Sequence, residues 1–447
     1  MIARVVPRRF SGMVRIPASK SHTIRRLLIA SLAEGVSRIH YPLDSLDTRS
    51  CVAACRALGA SVVEHRAAEP LCPNPPDAAG EKLVSWELRG RGAGAGLPVS
   101  IDVGNSGTTL FLVLAAAGLG STPVRFDGDA QIRRRSAAPL LAALAALGLH
   151  TESEGGRCPI TVRGPWKGGK ASIECPTSQY LSALLIAAPL APLGTLTELE
   201  VPLLNERPYV EMTLGYLDAQ NVPYEKRRDL SWFRIPGGAV YRSLSGPVPG
   251  DFSSAAFPAA AAAVSGGSVR LVGLDRDDCQ GDKAFFRVLE TMGCEIRWEQ
   301  SAGSAVLCVE RRNPLRGGEF DLNDTPDTLP ACAVVAAFAR GDTALVNAAH
   351  ARIKETDRIA VMAAELGKLG VQVSERPDGL VIHGTGGIAK GGRIDSRGDH
   401  RVAMAFAAAA RGAGGPIEID GAESAAVTYP GFLELLDAET VRQAEES

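Results

Sequence analysis

Apolar residues recur at helical spacing in six places along the chain, and each time a short run of small or charged polar residues comes just before them. Ile24, Leu27, Leu28 and Leu32 follow Ser19-Lys20-Ser21-His22-Thr23, with Glu34-Gly35 as the stop. Gly104-Asn105-Ser106-Gly107-Thr108-Thr109 precedes Leu110–Leu119, and Pro176-Thr177-Ser178-Gln179 precedes Tyr180–Leu190. Gly250-Asp251-Phe252-Ser253-Ser254 leads into Ala255–Val264, Thr325-Pro326-Asp327-Thr328 into Leu329–Ala339, and Gly398-Asp399-His400-Arg401 into Val402–Ala410. From Lys20 through Asn105, Thr177, Ser253, Asp327 and His400 the intervals are 85, 72, 76, 74 and 73 residues. The pattern predicts six repeated α/β units of about 75 residues, each with two helices and short strands.

Strand-like runs fall between the helices, as at Ile2–Val6, Val14–Ile16, Cys294–Trp298, Val371–Val373 and Leu380–His383. The first interval is the longest because Glu64–Gly96, rich in Pro, Ala and Gly, reads as a loop insertion. Pro236-Gly237-Gly238 and Ser245–Gly250, midway along the six repeats, mark a domain crossing with three repeats on each side.

Composition narrows the chemistry. A hydrophobic fraction of 45%, 22% charged residues and a net charge of −2 describe a globular protein whose overall field recruits neither nucleic acid nor an acidic membrane. An anionic ligand must therefore be attracted locally. The start of the chain lacks a signal-peptide apolar core and the apolar runs are shorter than a membrane span, so a cytoplasmic protein is expected. Nine cysteines without a CxxC, with Cys51 and Cys55 four apart in a helical pattern, read as reduced, packed thiols.

The polar runs are where such attraction is available, because backbone N–H groups at a helix start favour anions. Lys20 adds a cation at one of them, and Asp127–Arg135 ends in the dense cluster Arg133-Arg134-Arg135. Without interleaved aromatics, that cluster fits a small anion better than a nucleic acid. Arg352–Ile359 packs three positive and two negative side chains ahead of Ile359, Met362, Leu366 and Leu369. In a helix, Lys354 and Arg358 would share a face and Glu355 could reach Arg358. A solvated ion-paired turn and an anion site both fit this segment. Asp327 after a Pro at a helix start fits a helix-end carboxylate or a general base. No pattern for a metal, a nicotinamide or a nucleotide occurs in a persuasive context, and no cofactor is expected.

Taken together and in order, these motifs resemble the enolpyruvyl transferase family, and within it the branch that acts on shikimate 3-phosphate. The matching residues are Lys20-Ser21 with Arg25, Gly104–Thr109, Thr177-Ser178-Gln179, Gly250-Asp251 with Ser253-Ser254, Pro326-Asp327, Arg352–Arg358 and Asp399-His400-Arg401. The resemblance implies a two-domain fold with three repeats per domain, residues 1–18 and 248–447 forming one and 19–247 the other, and an active site in the cleft between them. It implies a monomer that transfers the enolpyruvyl group from phosphoenolpyruvate to the 5-hydroxyl of shikimate 3-phosphate, releasing phosphate, in the route to chorismate and aromatic amino acids. Lys20, Ser21, Arg25, Thr177, Ser178, Gln179, Asp327, His350 and Lys354 would hold shikimate 3-phosphate. Lys20, Gly107, Arg135, Gln179, Arg358 and Arg401 would hold phosphoenolpyruvate. Asp327 would take the hydroxyl proton and Glu355 would protonate the methylene carbon, with Lys20 beside them as a third catalytic residue.

The chain departs from the family pattern at several points. Phe111 stands where an Arg is usual, Val427 where a Lys is common, His350 where Asn is frequent, and Glu206 where a small hydroxyl residue often contacts the substrate. Arg135 lacks the usual following Pro, which leaves Arg133 as an alternative. The missing cations predict a raised KM for phosphoenolpyruvate. Two rival functions remain at this point. One is a non-catalytic paralogue binding phosphorylated carboxylates; the other is a UDP-N-acetylglucosamine enolpyruvyl transferase, against which the absence of Cys from Asp127–Arg135 counts.

Overall fold

The computed structural model describes residues 1–441 except 71, 91–98, 302 and 303. The chain divides into two compact units, Met1–Ala18 with Pro249–Ser447, and Ser19–Val248. Among the described residues there are six four-stranded sheets, and all six are wired alike. A first strand runs parallel to a second, and a third and fourth follow in antiparallel order. In the repeat around residue 200, Gly169–Cys175 lies parallel to Leu196–Leu204, which pairs antiparallel with Trp232–Pro236 and through it with Glu225–Lys226.

The six polar runs become the starts of six helices: Lys20–Leu32, Gly107–Ala117 and Ser178–Ala187 in the second unit, and Phe252–Ser265, Leu329–Ala337 and His400–Ala410 in the first. Five are closed by a side chain accepting from the first turn, from Ser19, Ser106, Thr177, Asp251 and Asp399. Such caps satisfy N–H groups that the helix cannot pair itself. The start of Leu329–Ala337 is instead a 3-10 turn, Pro326–Thr328, which carries Asp327. Gly107–Ala117, Leu329–Ala337 and His400–Ala410 are buried along their whole length. A helix that is apolar all round belongs inside a core, and within each unit neighbouring helices of this set pack on one another.

Three sheets are completed by distant strands, which the repeat spacing does not reveal. Ser245–Pro247 joins Val36–His40, Gly12–Arg15 joins Ser268–Val272, and Ile2–Val5 inserts between Ile417–Asp420 and Glu439–Val441. The passage between units falls after Ala18 and after Val248, whereas Pro236-Gly237-Gly238 merely ends a strand. The loop insertion expected over Glu64–Gly96 is corrected as well. Ser61–Ala67 and Lys82–Arg89 are paired strands with Trp86 fully buried on the second, leaving only 68–81 as a connection; residues 71 and 91–96 of that stretch lie outside the described residues. The Pro- and Gly-rich connection masked the strand pattern on either side. Among the described residues no helix is long and apolar enough to cross a membrane, and none of the nine cysteines is in a disulfide.

Candidate active site

In the first unit, Arg358 is the hub. Its side chain is 0% exposed, and a guanidinium taken that far from water needs anionic partners on its fork of donors. It has three. Nε donates to Asp399 Oδ2 at 2.9 Å and Nη2 to Asp399 Oδ1 at 3.2 Å, while Nη2 also reaches Glu355 Oε2 at 2.6 Å and Nη1 reaches Asp327 Oδ1 at 2.7 Å. Asp327 in turn receives Arg401 Nη2 at 2.8 Å and has Lys354 Nζ 3.9 Å away. Three cations thus face three carboxylates. Burial alone would raise the Asp327 proton affinity, but Arg401, Lys354 and Arg358 together outweigh it and hold the carboxyl well below the usual range. A quarter of the Asp327 side chain stays exposed, so a ligand can reach it.

The backbone that builds this cluster differs from the helical turn expected over Arg352–Ile359. Ala349–Ile353 is a 3-10 turn, and the helix begins only at Arg358, capped by Asp357 accepting from Ala360 N at 3.0 Å. Lys354 and Arg358 therefore do not share a helix face; Lys354, in an extended turn, approaches Asp327 from outside the helix. Arg352 pairs with Asp357 and Glu375, a partly exposed ion-paired turn. His350 is buried, its Nε2 3.0 Å from Asn323 O. Asp399, which local reading leaves as a helix cap, is the partner that fixes Arg358, and Thr356 Oγ1 donates to it at 3.0 Å.

Beside this group lies Asp282, fully buried, with Ser253 bonded to it and Oδ1 without a hydrogen-bond partner. Burial, reinforced by the Asp327 charge and opposed by Arg401, pushes its carboxyl up to about 6. The folded protein thus binds this proton more tightly than the unfolded chain, so the group costs no stability below pH 4 and a growing amount as pH rises through 6. Asp282→Asn is expected to gain stability over the parent between pH 4 and pH 7, read as a widening gap between their urea midpoints. A constant gap would show that Asp282 ionises normally in the fold.

In the second unit, Lys20 is the first residue of its helix and pairs with Asp47 Oδ2 at 3.1 Å, both largely buried. Arg25 is buried and donates to Thr213 Oγ1, Ser182 Oγ, Tyr209 O and Ser21 O. Gln179 Nε2 donates to Thr108 Oγ1 at 3.3 Å. The Arg135 guanidinium lies over Gly107, where a Cβ would meet it and make that side chain shift. Arg133 points elsewhere, forked onto Asp127 at 2.9 and 3.0 Å and largely exposed. Phe111 is buried and packs edge-on against Tyr180, ring centroids 5.0 Å apart. Thr177 and Ser178 turn to Glu206, a buried carboxylate at the position where the family pattern has a small hydroxyl residue.

Buried cations matched by carboxylates, with further donors at capped helix starts, are the kind of fixed charge that a site for small anions requires. The sequence profile described as EPSP synthase (3-phosphoshikimate 1-carboxyvinyltransferase) matches residues 6–436. A protein named 3-phosphoshikimate 1-carboxyvinyltransferase from Acetivibrio thermocellus is 45% identical over 439 residues, covering 98% of this chain and 97% of the relative. One of the same name from Ruminiclostridium cellulolyticum is 42% identical, covering 97% of each. The solved EPSP synthase of Acinetobacter baumannii superposes with a TM-score of 0.76 at 26% identity, covering 98% of this chain and 97% of that one. The chain belongs to the EPSP synthase family.

Proposed function

We propose that the two charged clusters are the working parts of one reaction, transfer of the 1-carboxyvinyl group from phosphoenolpyruvate to the 5-hydroxyl of shikimate 3-phosphate with release of phosphate. The observation that supports this most is Asp327, a carboxylate held by Lys354, Arg358 and Arg401 together. In the free protein those cations suppress its basicity. Substrate carboxylate and phosphate groups compete for Lys354 and Arg401, and as they draw charge away the proton affinity of Asp327 rises. It then accepts the 5-hydroxyl proton as the oxygen attacks C2 of phosphoenolpyruvate, while Glu355 gives a proton to the methylene carbon. The resulting tetrahedral adduct returns a proton from that methyl group to Glu355 and expels its phosphate, which leaves with the proton held by Asp327, restoring the vinyl double bond.

Lys20, Ser21, Arg25, Thr177, Ser178, Gln179, Asp327, His350 and Lys354 are assigned to shikimate 3-phosphate. Gly107, Arg135, Arg358 and Arg401, with Lys20 and Gln179, are assigned to phosphoenolpyruvate. The protein is read as cytoplasmic and as a monomer, the second of which sedimentation at a single-chain mass would bear out. The reading is tested by phosphate release from purified protein given both substrates, each omitted in turn. Release only with both is expected, and none with both would favour a binding paralogue.

The close approach of Arg135 to Gly107 yields a separate expectation. Gly107→Ala must push the guanidinium aside. Loss of one charge-assisted contact should raise the KM for phosphoenolpyruvate roughly ten- to a hundredfold. An unchanged KM in steady-state kinetics would remove Arg135 from the site.

A further inference from the structure

Glu206 lies within the set of donors assigned above to shikimate 3-phosphate. Its Oε2 accepts from Thr177 Oγ1 at 3.1 Å, Ser178 N at 3.0 Å and Ser178 Oγ at 2.8 Å. Ser178 opens the helix Ser178–Ala187 and Thr177 caps it, so the carboxylate sits at the positive end of that helix on converging N–H and O–H groups. The residue is 3% exposed. Its backbone is held at φ 57°, ψ 42°, a left-handed conformation that is uncommon for a residue with a Cβ and persists where surrounding contacts over-determine it. The chain is bent there, directly before Arg207-Pro208, in a way that brings this carboxylate onto those donors.

We propose that Glu206 is a specificity-determining residue: its carboxylate is a resident anion on the donors of Thr177 and Ser178, and a phosphorylated ligand binds there only by displacing or neutralising it. The inference rests on the assignment of Thr177 and Ser178 to shikimate 3-phosphate and takes its phosphate as the group they receive. The physical reason is that these hydroxyl and amide donors can serve one anion at a time. A phosphate carrying nearly two negative charges cannot lie against an ionised carboxylate without strong repulsion. The two therefore compete, and the resident carboxylate lowers the affinity for the phosphorylated substrate without affecting a ligand that lacks the phosphate.

Titration calorimetry with shikimate 3-phosphate and with unphosphorylated shikimate, on the parent, Glu206→Gln and Glu206→Ser, separates the outcomes. Gln keeps a carbonyl acceptor for Ser178 N and preserves the packing; Ser removes the competitor altogether. Both variants should bind shikimate 3-phosphate about tenfold more tightly or better, the worth of about one charge-assisted contact, while shikimate binding stays within twofold. An unchanged ratio of the two affinities in Glu206→Gln, or weaker phosphate-ligand binding in that variant with shikimate binding intact, would overturn the proposal and leave Glu206 a structural tie. Phosphate release by the parent with both substrates, measured alongside, reports separately on the underlying reaction: its absence counts against that reaction, whereas turnover with an unchanged affinity ratio counts against Glu206 alone.

Discussion

Glu355→Gln is expected to lower kcat about 10²- to 10⁴-fold, the usual worth of a positioned general acid, while the dissociation constant of shikimate 3-phosphate moves by less than twofold. The structure explains why the two effects should separate. Glu355 contributes one contact to Arg358, 2.6 Å long, whereas Asp399 supplies two and Asp327 a third. Replacing Glu355 by Gln thus leaves the buried guanidinium compensated by Asp399 and Asp327, and the Gln carbonyl can accept from Nη2 in place of the carboxyl oxygen. Pre-steady-state mixing with isotopically labelled solvent gives the sharpest readout, because exchange into the methylene group of phosphoenolpyruvate reports the proton transfer itself. Loss of shikimate 3-phosphate affinity in parallel with kcat would instead make Glu355 a scaffold for Arg358.

How far the sequence carried the reading depends on whether the cause of a feature is local. Helix starts were legible, since a polar run and the helix it opens lie within a few residues; Ser19, Ser106, Thr177, Asp251 and Asp399, one from each of five such runs, cap the helices that follow. The sixfold repeat was legible for the same reason. The strands Ile2–Val5, Gly12–Arg15 and Ser245–Pro247 were not assignable to sheets, because their partners are fixed by closure of units whose pieces are far apart in sequence. Charge partners followed the same rule. Glu355 and Arg358, three apart, could be paired in advance, but Lys20 with Asp47 and Arg358 with Asp399 are tertiary pairs. Asp399 read locally as part of a polar helix start, and Asp47 was not singled out at all. The signal available was the coincidence of an acidic helix start with an unpaired cation elsewhere, which becomes informative only once the repeats are superposed. The helical turn expected at Arg352–Asp357 failed for a different reason: Asp357 is itself a good cap, and it moved the helix start to Arg358.

The largest loss of stability is expected at Asp399, which performs two tasks with one carboxylate. It caps His400–Ala410 by accepting from Arg401 N at 2.9 Å, and it faces the fully buried Arg358 with both oxygens. Asp399→Ala removes both, leaving a guanidinium in a dry site with part of its charge uncompensated, a change that typically costs about 3–5 kcal/mol. Asp399→Asn keeps the cap, for which Asn is as good as Asp and which is worth about 1 kcal/mol, but discards the charge. The Asn variant should therefore recover only the smaller part of the Ala loss. The pH dependence follows from the same contacts. Burial opposes ionisation of Asp399, but Arg358 outweighs it and holds the carboxyl below its ordinary range. A depressed folded-state value means that the stabilisation is complete above the unfolded carboxylate value near pH 4 and is lost as pH falls below it. Urea unfolding should accordingly show the parent far ahead of Asp399→Asn at pH 7 and the gap narrowing below pH 4. Equal midpoints at pH 7 would mean that Glu355 and Asp327 suffice to hold Arg358, and that Asp399 matters only as a cap.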